Sequence, residues 1–350
     1  MIGCKGNTVL INERFTKWKG AKIMKRNSHL SISFIIFTIV CGLLLPETSF
    51  GAQKMLIGAT SASSSHYGYF VAVSQVINKN VPGLEASVVE TGATADNLRR
   101  FSRRQIDIGM ITTNTQSEAF YGRALYQKNP VKTKILWVYV VAPQNVVVRK
   151  DAHIAKLSDL NGKRFNAGIK GSSTEQTTHA VLKALQIAPD FVPGSTGDIV
   201  TAVKDNRVVG YVKSGAGLML DASSRDIATL TPIDLISLDA NQAATIDKEF
   251  PDLVVIDVPA GTAAKGIGAY KTWGFAVGCA AGLDMDTETA YRIVKAICED
   301  KTQQAAAFAD VKGADFMEMT LKYSSSPLHP GAIKYFKERG AVIPDRLIEK

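Results

Sequence analysis

The sequence predicts an α/β protein of two lobes, each organised around a parallel sheet. Three observations carry that prediction. Apolar β-prone segments alternate with helix-period segments from residue 54 to residue 112, and the same alternation returns from residue 163 to residue 212. Between them runs a strongly β-prone stretch, 135–149, punctuated by Pro143.

Taken in order, 55–59 reads as a short apolar strand and 67–77 as a helix with Phe70, Val73 and Ile77 turned inward. Residues 86–90 are β-branched, 95–103 are helical, and 106–112 alternate apolar with small residues as a third strand. The 135–141 strand should end at Pro143, so that 145–149 opens the second lobe. There 163–169 is a strand, 171–174 a loop and helix cap, 176–185 and 199–204 helices, and 208–212 a strand. Segment 254–258, then Pro259, Ala260 and Gly261, then strand 272–277, returns the chain to the first lobe, which helices near 286–300, 302–308, 313–323 and 330–339 complete. The expected lobes are 52–144 with 260–350, and 145–259.

The 350 residues are enough for two cores of ordinary domain size. A formal charge of +9 points toward nucleic acid only until it is divided. Residues 1–51 hold seven Lys or Arg against two Glu, which leaves 34 positive and 30 negative charges in the rest, with no long basic run. The apolar run 32–45 follows Lys25 and Arg26 and stops at Pro46, shorter than the roughly 20 residues a spanning helix needs. It fits the core of a signal peptide over 1–51. Ser49 and Gly51 supply small residues for cleavage before Ala52, and initiation at Met24 gives a 28-residue signal of normal form. An uncleaved anchor is the alternative; Cys41 lacks the preceding small residues of a lipoprotein signal. Cys279 and Cys298 stand nineteen residues apart, and their spacing leaves a disulfide and a buried free thiol both open.

In open parallel sheets ligands sit beyond the carboxyl ends of strands, at loops leading into helix N-termini. Three hydroxyl- and glycine-rich loops occupy such places: Thr60, Ser61, Ala62, Ser63, Ser64 and Ser65; Thr91, Gly92, Ala93 and Thr94; and Lys170, Gly171, Ser172, Ser173 and Thr174. Lys213, Ser214 and Gly215 make a fourth. Each loop alone reads equally as a helix cap, because Ser and Thr satisfy free N–H groups without any ligand. Lys213 offers a positive charge to a carboxylate, or is a solvated surface lysine. Tyr67, Tyr69 and Trp137 either wall a cleft or fill a core, with Tyr67 the best cleft candidate, and His66 is a polar cleft or cap residue rather than a metal ligand. Phosphate-loop, metalloprotease, nucleophile-elbow, paired-cysteine and dinucleotide motifs are all absent, which lowers the case for an enzyme.

In order and spacing these segments resemble the TAXI-type solute-binding subunits of tripartite ATP-independent periplasmic (TRAP) transporters. Gly58, Ala59, Thr60 and Ser61 through Tyr67 resemble that family's first glycine-rich loop, and residues 88–98 its S-T-G-G-S-x-x-N-L pattern, with 106–110 as the following strand. Residues 157–164 with Gly168 and 171–174 are similar to its L-x-D-L-x-G-K-R…G-x-x-G-S-G-T element. Leu328-His329-Pro330-Gly331-Ala332 and Tyr335 to Gly340 resemble its H-P-G-A…E-x-G signature. The resemblance implies a Venus-flytrap, type II-like periplasmic-binding-protein fold and no cofactor. It also implies small organic acids or amino acids such as glutamate and 2-oxoglutarate as solutes, and delivery to an ion-gradient-driven TRAP permease from the periplasm. Carried over by position, Thr112, Thr113 and Asn114 would join the four loops in lining the cleft. Ala62, Ser63, Ala93 and Ser173 stand where the family has glycines, so extra Cβ atoms narrow the backbone's approach to a ligand and extra hydroxyls add hydrogen-bond partners. Rival expectations are a two-lobed binding protein of an ATP-driven importer or a sensor, a periplasmic enzyme on the same fold, and a structural surface protein.

Overall fold

A computed structural model describes residues 52–349; the expected signal segment lies outside them. The elements follow from local sequence. Strand β1 (Gln53–Gly58) leads through the serine-rich loop into helix α1 (Ser65–Asn80), which buries Tyr69, Phe70, Val73, Val76 and Ile77 at helical spacing. β2 (Leu84–Val89), α2 (Thr94–Ser102), β3 (Ile108–Thr112) and α3 (Thr113–Tyr121) follow. In the other half come β5 (Arg164–Asn166), α4 (Ser173–Ala184), β6 (Asp190–Phe191), α5 (Thr196–Lys204), β7 (Gly210–Ser214), α6 (Ala222–Ala228), β8 (Ile233–Leu235), α7 (Ala240–Glu249) and β9 (Val254–Val258). β1 pairs parallel with β2 and β3, and β5 pairs parallel with β6 and β7, so each half has its own parallel sheet.

Two long strands join the halves. β4 (Thr133–Arg149) pairs antiparallel with β10 (Tyr270–Gly282) from Thr133 to Pro143, then with β7 from Gln144 and with β8 from Val147. β10 pairs with β9 over Tyr270 to Gly274 and with β3 over Val277 to Ala281. The resulting strand order is β2-β1-β3-β10-β4-β7-β5-β6. Pro143 therefore does not end a strand, contrary to the sequence expectation. It sits where β4 changes partner, so its missing N–H falls at the edge of each ladder, while its carbonyl accepts the Gly215 N–H at 2.8 Å. Next to it, buried Gln144 donates to the Ala142 carbonyl and to Ser214 Oγ and accepts from Thr174 Oγ1 at 2.8 Å. The crossover is thus sewn by side chains as well as backbone.

Helices α8 (Thr287–Glu299), α9 (Gln303–Ala307), α10 (Phe316–Tyr323) and α11 (Pro330–Glu338) pack on the first half. The H-P-G-A segment is the start of α11. His329 Nδ1 accepts the Gly331 N–H at 3.1 Å as the N-cap, Pro330 takes the first turn, where no N–H is needed, and Gly331 lets α8 approach. A Cβ at Gly331 would lie 2.5 Å from both the Thr287 carbonyl oxygen and the Tyr291 nitrogen. Tyr69 and Trp137 are core residues: Trp137 Nε1 donates to Tyr69 Oη, which donates to Gln304. Cys279 and Cys298 are both free thiols. Among the described residues no helix is long and apolar enough to cross a membrane.

Candidate functional site

The carboxyl ends of β1, β3 and β7 and the N-termini of α1, α2 and α4 converge where the two halves meet. They enclose a cavity of about 30 Å³. Of the residues singled out in the sequence, Thr60, Ser64, Ala93, Thr94, Ser172, Ser173, Thr174, Lys213 and Ser214 line it. With them stand His66, Met110, Thr112, Ile169, Phe275 and Val277. Nine residues far apart in sequence are brought together because strand ends and helix starts share one edge of each sheet; Thr94, Ser173 and Thr174 stand in the first turns of α2 and α4, and Lys213 and Ser214 at the end of β7 rather than in a loop.

The remaining candidates lie off the cavity. Ser61 is buried beside Ser63, hydroxyl to hydroxyl at 3.1 Å, and Ser63 faces solvent. Tyr67 is half-buried and packs on the hydrophobic core rather than walling a cleft. Thr91 Oγ1 donates to the Ala59 carbonyl at 2.8 Å, an internal tie. Gly92 presses on the opposite half, where a Cβ would lie 2.8 Å from the Lys170 carbonyl oxygen; the Lys170 side chain is exposed. The Gly171 carbonyl accepts the N–H groups of Ala95 and Asp96, capping α2 from across the interface. Thr113 and Asn114 are not loop residues: they open α3, and Asn114 faces a separate groove of about 720 Å³ beside α4. The Gly215 carbonyl faces His66 Nε2 at 3.0 Å.

The charged centre is Lys213 with Asp221, a residue outside all four loops singled out in the sequence. Lys213 Nζ lies 3.6 Å from Asp221 Oδ1 and 3.3 Å from Ser64 Oγ, and both side chains are buried. Asp221 bridges the halves: Oδ2 accepts Ser64 Oγ–H at 2.9 Å and the Ser65 N–H at 2.8 Å, while Oδ1 accepts the N–H and hydroxyl of Ser223 at the start of α6. Burial works to raise this carboxyl, but the Lys213 ammonium, the Ser223 hydroxyl and the Ser65 N–H outweigh it and hold it below its ordinary value. Asp-x-Ser ahead of an amphipathic stretch is an N-cap signal, which marks Asp221 as a cap but not as a cross-interface one.

His66 is fully buried, with Nε2 on the Gly215 carbonyl and Nδ1 2.7 Å from Tyr139 Oη. A carbonyl only accepts, so Nε2 carries the proton and Nδ1 accepts from the tyrosine. Burial lowers the imidazole to about 4, against a smaller upward pull from Asp221, so it is neutral at pH 7. Among the described residues no group of three His, Cys, Asp or Glu side chains is arranged to hold a metal.

Two α/β halves joined by a pair of crossing strands, meeting over a polar cavity at helix N-termini, make the two-lobed type II-like periplasmic-binding-protein fold. The chain belongs to the NMT1-like family, which it matches over residues 57–340. Among solved structures it is similar to an arginine-specific periplasmic binding protein of Salmonella typhimurium, at 17% identity over 76% of this chain and 100% of that one, TM-score 0.47. It is also similar to the ligand-binding component of an ABC-type import system from Staphylococcus aureus, solved with zinc bound, at 12% identity over 85% and 96%, TM-score 0.47. A third is a glutathione-import protein of Streptococcus mutans, at 11% identity over 75% and 96%, TM-score 0.47.

Proposed function

We propose that the protein captures a small organic solute between its lobes, outside the cytoplasm, and presents it to a membrane importer. One observation carries this reading. Hydroxyls and helix N-termini from both lobes converge with a single buried ammonium, Lys213, on a cavity at the interface. Hydroxyls and the positive ends of helices suit the carboxylate of a small acid or amino acid such as glutamate or 2-oxoglutarate. The cavity has the volume of about one water molecule, so a solute enters with the lobes parted and is shielded from water as they close. No step of turnover is required: among the described residues the one imidazole lining the cavity, His66, has both nitrogens engaged by Tyr139 and Gly215.

The test is a thermal-shift screen of the chain from Ala52, unfolded and refolded to strip carried solute, against monocarboxylates, dicarboxylates, 2-oxo acids and amino acids. A solute at about 1,000 times its dissociation constant adds roughly 4 kcal/mol, which at about 2 to 4 °C per kcal/mol is readily seen. A saturable shift with one chemical class supports the reading; a folded chain that responds to none removes it.

Two of the similar structures, from Staphylococcus aureus and Streptococcus mutans, are described with ABC-type import systems, which makes an ATP-driven importer the first candidate for the membrane partner. The TAXI-type motifs, above all the H-P-G-A segment from His329 to Ala332, favour a second reading with an ion-gradient-driven TRAP permease. Uptake in cells separates the two: loss on ATP depletion with the ion gradient held supports the first, and loss on collapse of the gradient with ATP held supports the second.

A further inference from the structure

We infer that closure of the lobes expels a proton from His66, so that mildly acidic surroundings part the lobes and release the solute; the inference rests on the reading above, in which the lobes part and close. Three observations lead there.

The first is where the imidazole stands. His66 is the second residue of α1 and lines the interface cavity, but its two nitrogens are engaged by different halves. Nδ1 accepts the Tyr139 hydroxyl of β4 at 2.7 Å, and the Phe308 ring lies 5.2 Å away, both within the first half. Nε2 donates at 3.0 Å to the carbonyl of Gly215, just past β7 in the second half. Parting the lobes therefore leaves Nδ1 with its partner and gives Nε2 to water.

The second is that the closed form has no place for a second ring proton. An imidazolium donates from both nitrogens, so a proton on Nδ1 would have to turn the Tyr139 hydrogen aside, and among the described residues that hydroxyl has no other hydrogen-bond partner. On closure the Nδ1 proton passes to water and the tyrosine hydrogen takes its place. The charged groups that face the ring are Asp221 and Lys213, themselves paired at 3.6 Å, and they pull in opposite directions. Burial is the larger influence and holds the imidazole at about 4, against 6.5 for a ring in water. The Tyr139 and Tyr69 hydroxyls stay neutral, burial having pushed both well above their ordinary value.

The third is how the other titratable groups respond. Asp221 is held below its ordinary value and stays ionised through this range. Asp310, which accepts the Leu218 N–H across the interface, is raised by burial, so its protonation favours the closed form and opposes the histidine. His329 has both its partners, Gly331 and Met285, in the first half, and His153 and His179 are exposed. Because the closed form binds the His66 proton more weakly than the open one, acid favours opening between pH 6.5 and about 4. With those two values the ratio of open to closed form rises about twentyfold from pH 7 to pH 5, and apparent solute affinity falls with the closed fraction.

Small-angle X-ray scattering of the refolded chain from Ala52, without added solute, tests this at pH 7 and pH 5. The wild type is expected to show a larger radius of gyration at pH 5, with unchanged far-ultraviolet circular dichroism and full return at pH 7. His66→Gln, whose amide keeps a donor for Gly215, is expected not to expand. A wild-type radius that is the same at both pH values overturns the inference. Equal expansion of His66→Gln does so too, since Asp221 and Asp310 are present in both chains. Where His66→Gln does not fold, NMR titration of the wild-type His66 ring, assigned through its contacts with the Tyr139 and Phe308 rings, decides. Half-protonation below about pH 5 is expected, and half-protonation near about 6.5 overturns the inference. No solute enters these experiments, so their failure leaves the solute-binding reading to the thermal-shift screen. A chain that opens in acid but binds no member of that panel loses the solute-binding reading and keeps the proton-linked opening.

Discussion

At the residue scale, Ala93 shows how one Cβ is set against the site around it. Its φ of 67° lies in the left-handed region that favours glycine, and its side chain lines the cavity. Ala93→Gly should relieve that strain and raise stability by about 1 kcal/mol, read as a higher unfolding midpoint, despite the greater freedom glycine has when unfolded. His66 makes a pH prediction whose sign follows from its burial. Its imidazole titrates near 4 in the folded chain against 6.5 when free, so between those values the unfolded chain binds the extra proton. Stability should therefore fall as pH drops from about 6.5 toward 4, by an amount on the order of 3 kcal/mol. His66→Gln, with no proton to gain, should flatten that part of a urea-midpoint profile against pH. The sequence marked the hydroxyl loops, because Ser, Thr and Gly at strand ends have few other uses. It did not mark Asp221 as a bridge, nor Met110, Phe275 and Val277 as lining, since those roles depend on contacts between residues 157 or more apart in the chain.

At the element scale, the βαβ alternation was legible because each strand and helix buries its apolar residues at its own period. Helix α3 was not. Its first five residues, Thr113 to Ser117, are all buried and all polar, so no apolar period announces a helix. β4 was read as two strands, since the proline rule cannot see that a strand changes partners at that point. The loop from Gly215 to Leu220 holds the lobes together from one side: Gly215 meets His66, and the Leu218 N–H donates to Asp310 at 2.7 Å. Gly217, between them at φ 63°, has no room for a Cβ, which would overlap the Asp310 carboxylate. Gly217→Ala should hinder closure and weaken solute binding by about tenfold without touching the cavity lining, because apparent affinity scales with the fraction of competent closed state. The α8–α11 crossing carries a separate prediction. Gly331→Ala should cost about 1 to 3 kcal/mol, the range for overpacking, and appear as a lower denaturant midpoint at unchanged slope.

At the scale of the whole molecule, the polar contacts across the interface around the cavity are hydrogen bonds to backbone, hydroxyl and carboxylate groups. Asp221 to Ser64 and Ser65, His66 to Gly215, Gly171 to α2 and Thr112 to Ser173 can each be exchanged for water as the lobes part. Two strands, β4 and β10, remain to guide the motion. The molecule is thus arranged so that a solute carboxylate near Lys213 adds differential contact to the closed form. Small-angle X-ray scattering of the refolded chain from Ala52, with and without the solute giving the largest thermal shift, tests this most directly. A smaller radius of gyration on saturation, abolished in Lys213→Met, is the predicted result. Saturable binding that leaves the radius unchanged, or that survives Lys213→Met undiminished, would contradict the account of a solute held between closing lobes.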